Sequence, residues 1–332
     1  MGTTLLTGAN GSLAIPAVSY LLSNYPSCTA VLAVRDTTDH DTNTARLRKT
    51  IAGLPHGSVS IRQLDLASLS SVQTFATEVH EEVVEGKLPP LVAIICNAYT
   101  WCINGGTQYS KDGFERSMAV NHIGHLALTL RLLGDMDKSG RIVFLSSDSH
   151  EPGRAGFEKY PPILPEDLNT LVHPAPDKKG EEVGRGFQRY GLSKLAIVMS
   201  MYELQRNLKK SEHFKDIAVI AMDPGGMLDS RTFGGADVPA LWKTIITVMN
   251  WLQPLLKLMK PTLRRTSDAA KDLIDLSMHA QFAGQEGHFE MRRKVASSPA
   301  SRDETMQAAL WNKSLEWSGI TQSDTALPLN DA

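Results

Sequence analysis

Thr3-Thr4-Leu5-Leu6-Thr7-Gly8-Ala9-Asn10-Gly11-Ser12-Leu13-Ala14 reads as a strand that turns directly into a helix. The apolar run up to Thr7 suits a strand buried on both faces, and the apolar spacing over 13–22 suits an amphipathic helix. The glycines between them allow a tight turn. At such a strand-to-helix turn, backbone N–H groups and the helix dipole favour a pyrophosphate. Thr7, Gly8, Asn10, Gly11, Ser12 and Leu13 are therefore candidate dinucleotide-binding residues. A plain tight connection would carry the same glycines.

Working outward, short runs rich in Val, Ile, Leu and Ala recur at 29–34, 59–64, 91–96, 141–145 and 217–222, with helical patterns such as 72–84 and 123–133 between them. Strands and helices that alternate in this way predict a doubly wound parallel sheet of the Rossmann type, about seven strands with helices on both faces. The run Gly287-His288-Phe289-Glu290-Met291 supplies a late strand. One domain over 1–332 is expected, with two segments that depart from plain alternation. Residues 151–188 carry Pro152, Pro161, Pro162, Pro165, Pro174 and Pro176, which exclude a long helix or central strand and predict an inserted loop. Residues 226–262 place Trp242, Ile246, Met249, Trp251, Leu252, Leu255, Leu256 and Met259 at mostly helical spacing, as helices covering the core or as an apolar lid over a ligand.

With 332 residues, a net charge of −2 and a pI of about 6.6, the chain gives no electrostatic reason to expect nucleic acid. Cys28, Cys96 and Cys102 show no paired metal spacing, so no metal is expected. The first strand begins beside Met1, and the apolar stretch 241–259 is broken by Lys243, Asn250, Gln253, Pro254 and Lys257. A cytoplasmic protein with no integral membrane association is the expectation.

Tyr190 and Lys194 are four positions apart on one helix face, so the ammonium is expected near the phenol, favouring the phenolate. Bringing a phenol from about 10 to neutrality requires roughly 4 kcal/mol. Arg35 ends the second strand, where a carboxylate would grip a ribose 2′-hydroxyl and an arginine instead accommodates a 2′-phosphate. NADPH/NADP+ is expected over NADH, although Asp36 next door dilutes the signal.

With these residues in place the chain resembles the short-chain dehydrogenase/reductase superfamily over essentially its whole length. The glycine turn, Asp65 in Leu64-Asp65-Leu66, Asn97-Ala98, Asn121, Ser146-Ser147, Tyr190…Lys194 and Pro224-Gly225 follow in the family's order. The resemblance implies that Tyr190 is the proton donor to a substrate carbonyl. It implies that Ser147 hydrogen-bonds the same oxygen and that Lys194 lowers the phenol's pKa while binding the nicotinamide ribose. Asn121 would anchor a water relay to Lys194, Asp65 would contact the adenine, and Pro224-Gly225 would pass the nicotinamide. A homodimer is also implied. Ser146–His150 as Ser-Ser-x-x-His, Asp167-Leu168-Asn169 and Leu310-Trp311…Ser314…Gly319-Ile320 resemble the retinol-dehydrogenase-like branch, and within it reductases of fungal secondary metabolism.

Three departures stand out. Ser12 and Ala14 replace family glycines, Ser12 being expected to cap the helix through its hydroxyl. Tyr99 stands where the family carries glycine after Asn97-Ala98. The gap between Ser147 and Tyr190 exceeds the family's usual one. His122-Ile123-Gly124-His125 spells an ATP-binding motif of aminoacyl-tRNA synthetases, but its place on a later helix argues for helix-packing histidines.

The sequence reading is an NADPH-dependent oxidoreductase that reduces a ketone, or oxidises a secondary alcohol, on a bulky apolar small molecule such as a secondary metabolite. Its rivals are an isomerase, dehydratase or cyclase of the same fold without net redox, and a non-catalytic dinucleotide sensor.

Overall fold

The structure, a computed structural model, describes residues 2–156, 158–231, 240–252 and 262–329. Six strands in chain order, β1 (Thr3–Thr7), β2 (Thr29–Val34), β3 (Val59–Gln63), β4 (Leu91–Cys96), β5 (Met136–Leu145) and β6 (Ala218–Asp223), pair in parallel. A separate two-stranded pair joins β7 (Gly226–Met227) to β8 (Leu263–Arg264). Two further strands, β9 (Gly287–Glu290) and β10 (Arg293–Lys294), complete one eight-stranded sheet of order β10-β9-β6-β5-β4-β1-β2-β3. β9 runs parallel to β6 and β10 returns antiparallel. Seven parallel strands thus match the sequence expectation, and the short β10 adds an eighth at the edge.

Successive side chains of a strand point to opposite faces. Leu5, Ile94, Phe144 and Val219 accordingly enter one core, while Leu6, Ile95, Val143 and Ile220 enter the other, and all eight are fully buried. Each such side chain contributes about 1.5–3 kcal/mol relative to exposure. The helices that close these cores are α1 (Ala14–Asn24), α2 (Thr42–Ala52), α3 (Leu69–Val84), α4 (Arg116–Met118), α5 (Gly124–Arg131), α6 (Glu182–Lys209), α7 (Ala240–Trp251), α8 (Thr266–Met278) and α9 (Glu304–Ser318). Between α4 and α5 the chain makes a π-helical turn, Ala119–Ile123, that holds Asn121.

The inserted loop ends earlier than its composition suggests, because α6 begins at Glu182 rather than beyond 188. Gly184 and Gly186 do not stop it. A side chain at 186 would meet the Cys102 carbonyl oxygen at 2.5 Å, so glycine there lets the helix approach the 102–103 backbone. The loop is clamped to α6 by Arg189, whose fork donates to both oxygens of Asp177 at 2.7 and 2.9 Å with both side chains buried. Of the expected lid, α7 is described and its Met249 reaches the cavity below, whereas Leu255, Leu256 and Met259 lie outside the described residues.

Candidate active site

The turn after β1 is built around Gly8, whose φ of +62° and close approach to Ala98 leave no room for a side chain: a Cβ would lie 2.8 Å from the Ala98 Cα. The Asn97 amide donates to the Thr7 carbonyl at 2.9 Å, and the Thr7 hydroxyl accepts from the backbones of Asn97 and Ala98, each at 3.0 Å. Thr7, Asn97 and Ala98 therefore tie the ends of β1 and β4 together. The following helix, α1, has no side-chain cap and no acidic residue in its first turn, so its leading N–H groups suit an anion. The methyl of Ala14 is fully buried.

A groove of about 560 Å³ runs over this turn, lined by Thr7, Gly8, Asn10, Gly11, Ser12, Leu13, Arg35, Asp65, Asn97 and Ala98. These residues fit a dinucleotide. Ser12 is not a cap, contrary to expectation: its hydroxyl accepts from the backbone N–H and the Nε of Arg231 at 2.9 and 3.1 Å, contacts no sequence pattern announces. Arg35 is exposed on the groove, while the neighbouring Asp36 carboxylate accepts from the Thr38 N–H and hydroxyl. Asp65 accepts from the Ala67 N–H and lies 3.8 Å from the Lys111 ammonium.

Leu13, Asn97, Tyr99 and Trp101 are shared with an adjoining cavity of about 410 Å³, which Ser147, Tyr190, Lys194, Pro224 and Gly225 also line. The Tyr190 ring stacks on Trp101 at 5.5 Å and tilts against Tyr99 and Phe187 at 6.3 and 6.2 Å. Tyr99, an oddity in the sequence, is thus part of the aromatic wall. Ser147 lies beside the phenol, and its hydroxyl donates to Asp148 at 3.2 Å.

The electrostatics correct the sequence reading. Lys194 does share the helix face of Tyr190, but its ammonium donates to the Leu145 carbonyl at 2.7 Å and lies 5.7 Å from the phenol ring centre. Burial is the larger effect, so the phenol is pushed well above its ordinary value, with Tyr99, Asp148 and Asp223 pushing the same way and Ser147 opposing. The Lys194 ammonium is itself pulled down to about 7 by burial, against the attraction of Asp223. At neutral pH Tyr190 therefore holds its proton.

Asn121 lies off the cavity wall. Its amide oxygen accepts from the Thr100 N–H at 2.8 Å, and its amide nitrogen donates to the Thr100 carbonyl and to the Ser193 hydroxyl at 3.1 and 2.9 Å. Ser193 in turn donates to the Tyr190 carbonyl at 2.7 Å. The side chain joins the loop bearing Tyr99 and Trp101 to the turn of α6 bearing the phenol. His122 and His125 are buried packing residues, paired with Ser314 and Thr7 at 2.7 and 2.9 Å, and burial pulls both down to about 3.

Asp223, not singled out by the sequence, ends β6 on the cavity and accepts from the Gly225 N–H at 2.8 Å. Its signal was a carboxylate immediately before Pro224-Gly225 at the end of an apolar strand. Burial, then Asp148, raises it to about 7. Because this folded value exceeds that of a free carboxyl, its stabilising contribution is complete below about pH 4 and is lost as pH rises through 7, at about 1.4 kcal/mol per unit. Asp223→Asn, which keeps an acceptor for Gly225, should therefore gain in melting temperature relative to the parent between about pH 5 and pH 8. A difference that does not change with pH would refute this.

Residues 3–161 match the family model described as short chain dehydrogenase, and residues 232–327 match the AcuH dehydrogenase domain. Retinol dehydrogenase 13 of Homo sapiens is 30% identical across 79% of this chain and 69% of its own length. The chain belongs to the short-chain dehydrogenase family. Within that family it falls in the retinol-dehydrogenase-like branch. The short-chain dehydrogenase iccH of Talaromyces variabilis is 29% identical across 98% of both chains. An NADPH-bound carbonyl reductase from chicken fatty liver shares the fold, with a TM-score of 0.59 at 18% identity over 90% of this chain and 99% of that one. Among the described residues no helix of this dehydrogenase is long and apolar enough to cross a membrane.

Proposed function

We propose that the chain is an NADPH-dependent reductase of a ketone on a bulky apolar small molecule, reversible towards the secondary alcohol. The observation that carries this is Tyr190: a phenol that keeps its proton, paired with the Ser147 hydroxyl, in an aromatic-walled cavity continuous with a dinucleotide groove. Hydride would come from the reduced nicotinamide. Tyr190 gives its proton to the carbonyl oxygen as the carbon–oxygen double bond becomes an alcohol, and Ser147 donates a hydrogen bond to that oxygen. Lys194 takes the nicotinamide ribose, and Pro224-Gly225 passes the nicotinamide. The glycine turn with the first turn of α1 takes the pyrophosphate, Asp65 meets the adenine, and Arg35 meets the 2′-phosphate. Asn121 acts through Thr100 and Ser193, positioning the aromatic wall against α6. The cavity lies within the size range of small-molecule sites, and its aromatic lining supports a large apolar substrate. The NADPH bound to the chicken carbonyl reductase supports the same cofactor. A cytoplasmic location belongs to this reading, supported by Cys28, Cys96 and Cys102, which are buried and not joined in disulfides.

Titration with NADPH and NADH, followed by tryptophan fluorescence, tests it without a substrate. Tighter binding of NADPH and its consumption with apolar ketones are the expected results. Failure to bind either dinucleotide, or full product formation without one, would replace the reductase with an acid/base catalyst of the same fold.

A further inference from the structure

Arg231 follows the β7 segment and lies on the wall of the dinucleotide groove. Its backbone N–H and its Nε both donate to the Ser12 hydroxyl, Nη2 donates to the Asn10 carbonyl at 2.7 Å, and Nη1 donates to the Asn43 amide oxygen. Every one of these acceptors is neutral. Among the described residues Arg231 makes no ion pair, and only three of the five guanidinium N–H groups are used. Asp41, the carboxylate that acts on it through space, is occupied in capping α2 at the Thr44 N–H. A guanidinium fixed in place by neutral partners, with donors left over and its charge unmatched, is prepared for a phosphate oxygen.

The direction of the fork identifies which phosphate. Ser12, which precedes α1, holds the inner Nε, on the side where the leading N–H groups of that helix suit a pyrophosphate. The outer Nη atoms reach Asn10 and Asn43. Asn10 is itself bonded to Thr44 at 3.0 Å, and the Thr44 hydroxyl to the Asp36 carbonyl at 2.8 Å. This is the side of the groove where Arg35 leaves β2 and α2 begins.

We propose that Arg231 is a second reader of the cofactor's ribose 2′-phosphate, working with Arg35 and held in place by the Ser12 hydroxyl. The inference rests on the NADPH reading above and deepens it. It also gives a reason for serine at a position where the family carries glycine: the hydroxyl that fills the turn is the anchor for an arginine supplied from beyond the sixth strand. Ser230 and Met227, in the same segment, line both the groove and the substrate cavity, so the residue that reads the phosphate belongs to the segment that shapes the substrate site.

Calorimetric titration of the full chain with NADPH, NADH and adenosine 2′,5′-bisphosphate tests this in Arg231→Gln, Arg231→Lys and Ser12→Ala. Arg231→Gln should weaken NADPH and the bisphosphate about tenfold, equivalent to about 1.4 kcal/mol, while NADH changes by less than about twofold. Arg231→Lys should fall between, because a point charge lacks the planar fork. Ser12→Ala should show a smaller loss in the same direction, which keeps the test open should Arg231→Gln fold poorly. Equal weakening of NADPH and NADH would reassign Arg231 to the pyrophosphate and overturn the proposal, as would unchanged affinities. If the parent chain itself binds NADH as tightly as NADPH, the cofactor reading fails separately. The bisphosphate titration still decides the role of Arg231 in that case.

Discussion

Tyr190→Phe lowers turnover by roughly 10²–10⁴-fold, the span that a positioned general acid contributes, and leaves NADPH affinity within about twofold. The substitution removes one oxygen. The ring retains its stack on Trp101 and its contacts with Tyr99 and Phe187, so the aromatic wall stays in place. Ser147 keeps Asp148 as a partner, and no buried charge is left unpaired. The phenol holds the proton that the carbonyl oxygen needs, so its loss falls on the chemical step rather than on binding. Single-turnover reduction of an apolar ketone at saturating NADPH, alongside calorimetric titration of the dinucleotide, reads both quantities. Undiminished turnover would remove Tyr190 from the reaction, and with it the reductase assignment.

Gly191→Ala produces the second large effect, through position alone. A Cβ at residue 191 would lie 2.6 Å from the Ser149 carbonyl oxygen and 3.2 Å from the Pro162 Cβ. The nearer obstacle is backbone, which cannot swing aside, so α6 has to move away from the turn that carries Ser147 and Ser149. Overpacking of this kind costs about 1–3 kcal/mol of stability. A shift of about 1 Å between the phenol and the Ser147 hydroxyl costs on the order of 10²-fold in turnover. Turnover per folded molecule, measured well below the melting temperature, would show no loss if the helix position were immaterial.

The strands were legible because those buried on both faces are near-continuous apolar runs, and 29–34 and 91–96 match β2 and β4 residue for residue. The helix α2 gave no comparable signal: in Thr42–Ala52 only Thr44, Leu47 and Ile51 are buried, too few for an apolar stripe to stand out. The π-helical turn at Ala119–Ile123 was also invisible, since one extra residue in a turn leaves composition unchanged. Within the site, spacing identified Tyr190 and Lys194 but gave the wrong sign for the phenol. An i, i+4 relation fixes the face two side chains share, not the depth at which they lie or the carbonyl that claims the ammonium. Arg231 could not be paired with Ser12 from sequence, because the contact is made by the return of the chain after β6. Asp223 was not singled out, and its charge could not be, because its neighbour Asp148 comes from a different strand end.

The position of β9 sets the order in which the protein can be finished during synthesis. The strand ending in Asp223 pairs on its outer side with β9, from Ile220 with Gly287 to Asp223 with Glu290, and the Met291 N–H donates to the Asp223 carbonyl at 2.8 Å. Until those later residues have left the ribosome, the strand that leads into Pro224-Gly225 is an open sheet edge, able to pair with a neighbouring nascent chain. At ordinary elongation rates that exposure lasts on the order of several seconds. A chain stopped short of β9 would keep that edge open and be prone to aggregate.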